Sequence, residues 1–280
     1  MKNFQDIMIA TDLDGTFFSS EAKEVPRNIE AIKYFTENGG IFTFATGRAS
    51  WNTDVLLPNA GEYLNHPAIT CNGMTLYDMS EHTPVREYFI PSEQVVELVD
   101  VILPKFSEVC FRAAGLEGIF VFQPEHPILV REQKKNPVKY FVCPYKEWIS
   151  YKFYKITMRA ESEILDEVKA YLDNLFGDKY NICKSWPTIL EILPKGRSKA
   201  EMLREVKNDL EENGRKIKLY AVGDFENDID MLKMADVAVC PDNALDCVKE
   251  ICDLCLCDND SGVIADLIYK LDEDILPISE

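Results

Sequence analysis

Short apolar runs alternate with amphipathic stretches over much of the 280-residue chain. Runs of three to five apolar residues that end at glycine or polar residues are typical of strands buried on both faces. The strands predicted in this way are 7–11, 41–45, 68–71, 219–222, 237–239 and 254–257. Apolar residues at helical spacing predict helices over 26–38, 198–212, 228–234 and 244–252. This alternation predicts an α/β fold, a Rossmann-like, doubly wound parallel sheet with helices on both faces.

The middle of the chain has a different order of elements. Its predicted strands are 85–90, 108–112, 118–122, 155–159, 180–185 and 188–192, and its predicted helices are 92–106 and 161–176. These form two strand–helix–strand–strand units, which are joined by a longer connector over 123–151. We therefore expect an α+β domain over 84–193, inserted into a core that is formed by 1–83 and 194–280.

Four polar clusters lie at the ends of predicted strands or at the start of a predicted helix. They are 12–16 (Asp-Leu-Asp-Gly-Thr), 46–48 (Thr-Gly-Arg), 195–199 (Lys-Gly-Arg-Ser-Lys) and 223–228 (Gly-Asp-Phe-Glu-Asn-Asp). In an open parallel sheet, ligands bind beyond the carboxyl ends of the strands. The clusters are far apart in sequence, but this topology can bring all four to one edge of the sheet.

The carboxylates of these clusters suit a magnesium ion. Mg²⁺ prefers oxygen ligands and keeps several waters, so two or three carboxylates and one carbonyl are sufficient. Asp12, Asp224 and the carbonyl of Asp14 are the candidate ligands. Asp228 is a fourth candidate, which either contacts the metal or orients a metal-bound water or Lys199.

The same clusters provide the groups that phosphoryl transfer requires. Asp12 is the candidate nucleophile, because a bound cation neutralises the phosphoryl oxygens that a carboxylate must approach. Asp14 is the candidate general acid and base, which protonates the leaving oxygen and later takes a proton from water. Thr46 and the Gly47 amide are candidate hydrogen-bond donors to the phosphoryl oxygens, and Lys199 adds a positive charge.

Two basic positions leave alternatives open. Lys195 is a rival for the role of Lys199, because both lie in the cluster that precedes a helix. Arg48 is either a substrate contact or part of a structural ion pair. The basic residues of the connector, which are Arg131, Lys134, Lys135 and Lys139, either meet an anionic substrate or belong to a solvated loop.

The four clusters resemble those of the haloacid dehalogenase superfamily, in particular its Cof-type phosphatase branch, which has an inserted type IIB cap. The resemblance is strongest in 7–18, 41–48 and 188–265, and it includes Asn72-Gly73, Asn243-Ala244 and 260–263. It implies that Asp12 is the nucleophile, Asp14 the acid/base and Asp224 a metal ligand. It also implies phosphate contacts from Thr46, Gly47, Lys199 and Asn227. The chain departs from this branch at Phe225, where glycine is frequent, and at Phe17-Phe18, where smaller aliphatic residues are common.

Composition narrows the classes of partner. The formal net charge is −18, which argues against nucleic acid as a partner, because phosphate backbones need a basic surface.

Nine cysteines fit a reducing compartment, and the alternating Cys252, Cys255 and Cys257 fit a buried strand better than a zinc site. With neither an apolar membrane span nor a signal peptide, the expected location is the cytoplasm, away from membranes.

The sequence thus predicts a magnesium-dependent phosphatase that acts on a small phosphorylated metabolite, with sugar phosphates as one candidate class. A phosphomutase that uses the same aspartyl phosphate is an alternative, because the motifs of the two are alike. A binding protein that has lost turnover is a second alternative. The presence of both Asp12 and Asp14 weighs against it, since a binder does not need an acid/base.

Overall fold

The chain divides into two compact units. The structure is a computed structural model that describes residues 3–135, 140–212 and 214–273. The first unit comprises Met1–Arg86 and Ser198–Glu280, and the second comprises Glu87–Arg197. The predicted domain junctions, at 83/84 and 193/194, lie three and four residues before these divisions.

The two units together contain the following strands and helices, and strands alternate with helices through most of the first unit. In chain order, the strands are β1 (Ile7–Thr11), β2 (Ile41–Phe44), β3 (Ala68–Thr70), β4 (Thr75–Asp78), β5 (Thr83–Glu87), β6 (Cys110–Gly115), β7 (Gly118–Val121), β8 (Tyr140–Val142), β9 (Phe153–Arg159), β10 (Tyr180–Trp186), β11 (Ile189–Pro194), β12 (Lys218–Val222), β13 (Val237–Pro241) and β14 (Leu254–Leu256). The helices are α1 (Pro26–Glu37), α2 (Ser50–Leu56), α3 (Ser92–Ile102), α4 (Pro127–Lys135), α5 (Ser162–Phe176), α6 (Lys199–Glu211), α7 (Ile229–Met234), α8 (Asp246–Lys249) and α9 (Val263–Asp272).

A five-stranded parallel sheet forms the centre of the first unit. Its strand order is β14-β13-β12-β1-β2, and each neighbouring pair is parallel. Helix α1 packs against α9, and α6 packs against α7. Ile9, Phe42 and Ile268 belong to one buried apolar core, in which strand and helix side chains meet. The α/β class with a doubly wound parallel sheet is confirmed.

The parallel sheet determines where the polar clusters lie. Asp12 directly follows β1, Thr46 lies two residues after β2, and Asp224 lies two residues after β12. Because all three strands run in the same direction, these residues lie at the same edge of the sheet.

The second unit contains a mixed sheet with helices packed on it. Its strand order is β10-β11-β9-β6-β7-β8, and the pairs are antiparallel except for β7 with β8. Helix α5 packs on β10 and β11. Phe111, Ile156 and Leu190 are buried members of this unit, as apolar residues on three neighbouring strands.

The connector 123–151 contains regular structure that the sequence analysis did not predict. Helix α4 and strand β8 lie within it. Glu132 of α4 accepts hydrogen bonds from Arg112 Nη1 at 2.9 Å and from Arg159 Nη1, which ties the helix to β6 and β9. Arg131 and Lys134 are exposed, as expected of solvated residues, whereas the side chains of Lys135 and Lys139 lie outside the described residues.

Three predicted elements differ from those in the structure. Strand β5, predicted over 85–90 as part of the inserted domain, lies in a separate sheet of order β3-β4-β5. Strand β3 pairs antiparallel with β4, because the chain reverses at Cys71–Gly73, and an isolated parallel bridge between Ala45 and Ile69 links β3 to the parallel sheet. The helix predicted over 244–252 is shorter, since α8 has only four residues.

Helices of the described part of the chain are all too short or too polar to cross a lipid bilayer.

Candidate active site

Asp12 lies where β1 ends, and the backbone holds it there. Its amide donates to the Val222 carbonyl at 2.9 Å, which continues the pairing of β1 with β12 by one residue. The chain then turns through Leu13–Phe17. Gly15 has φ of +79°, and a Cβ atom there would lie 2.4 Å from Asp224 Oδ2. Only glycine therefore allows this turn to pass so close to the Asp224 carboxylate.

Lys199 lies among the carboxylates at the start of α6. The Ser198 side chain accepts from the Glu201 amide at 3.2 Å and so caps the helix. The Lys199 side chain is 1% exposed, and its Nζ lies 2.6 Å from Asp12 Oδ1 and 2.7 Å from Asp228 Oδ1. Its rival Lys195 is exposed and donates to the Gly177 carbonyl at 3.0 Å. The structure therefore groups Lys199, and not Lys195, with Asp12.

Asp224 and Asp228 are fixed by bonds within the first unit. Thr16 Oγ1 donates to Asp224 Oδ1 at 2.7 Å, which links the turn after β1 to the loop after β12. Asp228 Oδ2 accepts from the amides of Asp224 at 3.1 Å and Phe225 at 3.3 Å. Asp228 thus has both carboxylate oxygens engaged, one by Lys199 and the other by the backbone.

Burial dominates the electrostatics of this cluster. Burial raises the pKa of Asp12 well above its ordinary value, although Lys199 opposes the shift, and the neighbouring Asp228 and Asp224 carboxylates add to it. Burial and the Asp228 carboxylate raise the pKa of Asp224 to about 7. Burial alone would lower the pKa of Lys199, but attraction to Asp12 and Asp228 outweighs it and raises this pKa. One ammonium thus faces three carboxylates, which leaves an excess of negative charge.

This excess charge suits a divalent cation. Asp12, Asp224 and Asp228 each place a carboxylate oxygen within 4.8 Å of the others, and all three residues are buried. Across 3–135, 140–212 and 214–273, no other set of three His, Cys, Asp or Glu residues meets this distance criterion. The donors are all oxygen atoms, which is the chemistry that Mg²⁺ prefers. Cys255, in contrast, is exposed on β14 and lies opposite the buried Cys240.

Arg48 pairs with Asp14. Its Nε donates to Asp14 Oδ2 at 2.7 Å and its Nη2 to Asp14 Oδ1 at 2.5 Å, a bidentate ion pair. Its Nη1 donates to Asn52 at 2.9 Å, and its guanidinium carbon lies 5.9 Å from the centre of the Phe18 ring. The ion-pair interpretation of Arg48 therefore describes this structure, and Phe18 contributes a cation–π contact.

Thr46, Gly47 and Asn227 lie beside this group. Thr46 is fully buried, and its Oγ1 accepts from the Arg48 amide at 3.1 Å. Asn227 Nδ2 donates to Asn72 Oδ1 at 3.3 Å, and a Cβ atom on Gly47 would lie 3.1 Å from the same Asn72 oxygen. The predicted site residues are therefore connected through contacts in the first unit.

Two asparagines of this region belong to the segments that resemble the haloacid dehalogenase superfamily, but no role was predicted for them. Asn72 lies between Gly47 and Asn227, and Asn243 Nδ2 donates to the Gly15 carbonyl at 2.8 Å. Asn243 Oδ1 in turn accepts from the Asn259 amide at 3.0 Å, and Asn259 Nδ2 donates to the Phe18 carbonyl at 2.8 Å. Their position just after strand ends was the available signal, but their partners are far away in sequence.

Comparison with known proteins gives a consistent assignment. The family model of haloacid dehalogenase-like hydrolases matches residues 9–268. A protein named HMP-PP phosphatase from Yersinia enterocolitica is 26% identical, over 87% of this chain and 86% of its own. A haloacid dehalogenase-like hydrolase from Bacteroides thetaiotaomicron superimposes with a TM-score of 0.78 at 23% identity, covering 94% of this chain and 98% of its own. BT1666, a phosphatase of the same superfamily and organism, gives 0.79 at 21% identity, with 96% of each chain covered.

The family match covers well over half of the chain, and the relatives named as phosphatases agree with it. The predicted resemblance is confirmed, and so is the predicted class of enzyme, a phosphoric monoester hydrolase. The chain belongs to the family of haloacid dehalogenase-like hydrolases.

Proposed function

We propose that this chain is a magnesium-dependent phosphatase that hydrolyses a small phosphorylated metabolite through an aspartyl phosphate on Asp12. The observation that carries the proposal is the group of Asp12, Asp224 and Asp228 around the Lys199 ammonium. Asp14 follows Asp12 by two residues, so an acid/base lies next to the nucleophile. A group that only bound phosphate would not need so many buried carboxylates, because they repel an anion.

The oxygen donors fit a magnesium ion. Asp12, Asp224 and the carbonyl of Asp14 would hold it, and Asp228, with both oxygens engaged, would orient Lys199 and the loop after β12. When bound, Mg²⁺ neutralises phosphoryl oxygens and the excess charge of the carboxylates. The raised pKa values of Asp12 and Asp224 fit this assignment, because burial and the neighbouring carboxylates disfavour their charged forms more than Lys199 favours them.

The residues of the chain would carry out the two halves of the reaction. Asp12 attacks phosphorus, and the bond from phosphorus to the ester oxygen breaks as Asp14 gives that oxygen a proton. Asp14, now ionised, takes a proton from the water that attacks the phosphorus of the aspartyl phosphate. The bond from phosphorus to the Asp12 oxygen then breaks, which releases inorganic phosphate and restores the Asp12 carboxylate. Lys199 is charged when Asp12 attacks, because Asp12 and Asp228 favour its protonated form.

The phosphoryl oxygens need donors besides the cation. Thr46, the Gly47 amide, Asn227 and Lys199 are the proposed contacts, and preorganised donors of this kind contribute most when charge builds up on the oxygens. Arg48 was predicted either to contact substrate or to form a structural ion pair. In this structure the Arg48 guanidinium pairs with the Asp14 carboxylate. We therefore propose that Arg48 lies on the side of Asp14 that faces the substrate.

The substrate class is the less specific part of the proposal. We propose a small phosphate ester, with sugar phosphates as one class, and we propose that the second unit is a cap that contributes to substrate choice. The name of the Yersinia relative, HMP-PP phosphatase, supports phosphatase activity on a small phosphorylated compound. The expected location remains the cytoplasm.

A panel of phosphorylated metabolites, assayed for free phosphate with and without Mg²⁺, tests the proposed function. Turnover of at least one class is expected with Mg²⁺, and Asp12→Asn should abolish it without loss of the fold, because an amide is not a nucleophile here. Turnover by Asp12→Asn near the wild-type level would contradict the nucleophile assignment. A bisphosphorylated sugar that is isomerised without release of phosphate would favour the phosphomutase alternative.

A further inference from the structure

The hairpin between β3 and β4 reverses through an unusual turn. Cys71, Asn72 and Gly73 have φ of 52°, 54° and 91°, three consecutive residues in left-handed conformation. All three are buried. The other non-glycine residues of the described chain with positive φ are Asp6, Ala22 and His82, and none of them is buried. Such backbone persists only where the surroundings enforce it.

Two neighbouring loops enforce this turn. The amide of Asn72 donates to the Thr46 carbonyl at 2.9 Å, and the amide of Cys71 donates to the Arg48 carbonyl at 2.7 Å. On the other side, a Cβ atom on Gly73 would lie 2.0 Å from the Ser198 carbonyl oxygen. The turn is therefore packed between the loop after β2 and the start of α6, which carries Lys199.

The Asn72 side chain points into the same region. It is 2% exposed, and its Oδ1 accepts from Asn227 Nδ2 at 3.3 Å. The same oxygen would lie 3.1 Å from a Cβ atom on Gly47, so the side-chain amide of Asn72 packs against that glycine. Asn72 thus lies between two residues to which the proposed function assigns contacts with phosphoryl oxygens.

A hairpin turn alone explains part of this arrangement. Asn-Gly is the preferred pair for two-residue turns with positive φ, so the backbone could account for the residue types by itself. That explanation requires neither a buried side chain nor a contact with Asn227. Glycine would satisfy the backbone as well as asparagine does, so it separates the two explanations.

We propose that Asn72 is a positioning residue for the phosphoryl site, which orients the Asn227 amide and holds the loop of Thr46 and Gly47 in place. The inference rests on the proposed function, since it names a residue of that same site. Asn72 acts through its neighbours. Its side chain sets the direction of the Asn227 amide and the spacing of the donors Thr46 and Gly47.

The test is Asn72→Gly, which keeps the left-handed backbone and removes the amide. We expect an unchanged or higher melting temperature, while kcat/KM falls on the order of 10- to 100-fold, because small misplacements of contact groups reduce rates strongly. Asp6→Gly is the matched control. It relieves φ of 67° at the amino-terminal end of β1, the opposite end from Asp12, and should leave kcat/KM unchanged.

A double-mutant cycle with Asn227→Ala identifies the route of the effect. If Asn72 acts through Asn227, the loss caused by Asn72→Gly shrinks to less than about twofold in the Asn227→Ala background. Calorimetric titration of the Mg²⁺-loaded protein with inorganic phosphate makes the same comparison without turnover, so it tests the inference even for a chain that fails as a phosphatase. Wild-type kcat/KM and phosphate affinity in Asn72→Gly would overturn the inference, and equal losses in both backgrounds would overturn the part of it that acts through Asn227.

Discussion

At the scale of single residues, Lys199 balances two buried carboxylates. Its removal as Lys199→Met leaves Asp12 and Asp228 buried without their cation. We expect the free energy of unfolding to fall by about 3–5 kcal/mol, the usual cost of breaking a buried ion pair by removing one partner. Mg²⁺ should restore part of this loss, because it binds the folded state only.

Chemical denaturation of Lys199→Met and of Lys195→Met checks this expectation. Lys195→Met is the matched control, since Lys195 is exposed and its side chain donates to the Gly177 carbonyl. Its effect should remain within about 0.5 kcal/mol, as for most surface substitutions. Equal effects of the two substitutions would show that the buried position of Lys199 has no energetic importance.

The residue scale also shows what the sequence could not predict. Asp12, Asp14 and Asp224 were predicted as site residues from the sequence, because short motifs at strand ends have a recognisable chemistry. The pairing of Arg48 with Asp14 depends on two side chains 34 positions apart, and neither motif specifies it. The left-handed conformation of Cys71 also leaves no mark in composition or periodicity.

At the scale of elements, the close approach of the β3–β4 turn to α6 depends on Gly73. In Gly73→Ala, the new Cβ atom would meet the Ser198 carbonyl oxygen at 2.0 Å, so the helix that carries Lys199 would have to move. We expect a loss of about 3 kcal/mol in unfolding free energy, in the range that overpacking produces, and a fall in activity. Thermal denaturation and kcat/KM measure the two effects.

Gly196→Ala separates this overlap from backbone strain. Gly196 has φ of +75°, close in kind to the +91° of Gly73, but a Cβ atom there meets nothing within 4 Å. The control should therefore lose only about 1 kcal/mol, the cost of a left-handed non-glycine residue. A similar loss in both variants would mean that the contact between the turn and α6 is not tight.

The elements that were predicted well share a physical feature. Strand β1 was predicted with its observed bounds, because a strand buried on both faces must be apolar throughout. Helix α4 was missed because its sequence, Pro-Ile-Leu-Val-Arg-Glu-Gln-Lys-Lys, is apolar only at one end and carries charge through the rest. Strand β5 was assigned to the wrong sheet because an exposed edge strand has no pattern that selects its partner.

At the scale of the whole molecule, the net charge has the largest effect on how stability responds to salt. The net charge of −18 destabilises the compact state through self-repulsion, so added NaCl should raise the melting temperature. MgCl₂ at equal ionic strength should raise the melting temperature further, because it also binds a specific site. Mg²⁺ at 100 times the dissociation constant of that site adds about 2.7 kcal/mol to the free energy of unfolding.

Two variants with the same formal change of charge distinguish binding at the site from ionic screening. Asp224→Asn should lose the additional effect of MgCl₂, while Asp242→Asn, whose side chain is 75% exposed, should keep it. The melting temperature in matched NaCl and MgCl₂ is the measurement. If Asp224→Asn responds to MgCl₂ as the wild type does, the cation does not bind at the proposed carboxylates.

The most direct test of the central claim looks for the phosphoryl group on Asp12. In Asp14→Asn, p-nitrophenyl phosphate can still phosphorylate the enzyme because its leaving group needs no proton, whereas water is not activated and the intermediate accumulates. After acid quenching, mass spectrometry should find one added phosphoryl group, on the peptide that contains Asp12, and none in the variant that also carries Asp12→Asn. Release of p-nitrophenol with no phosphoryl group on the protein, or with the group on another residue, would contradict the account.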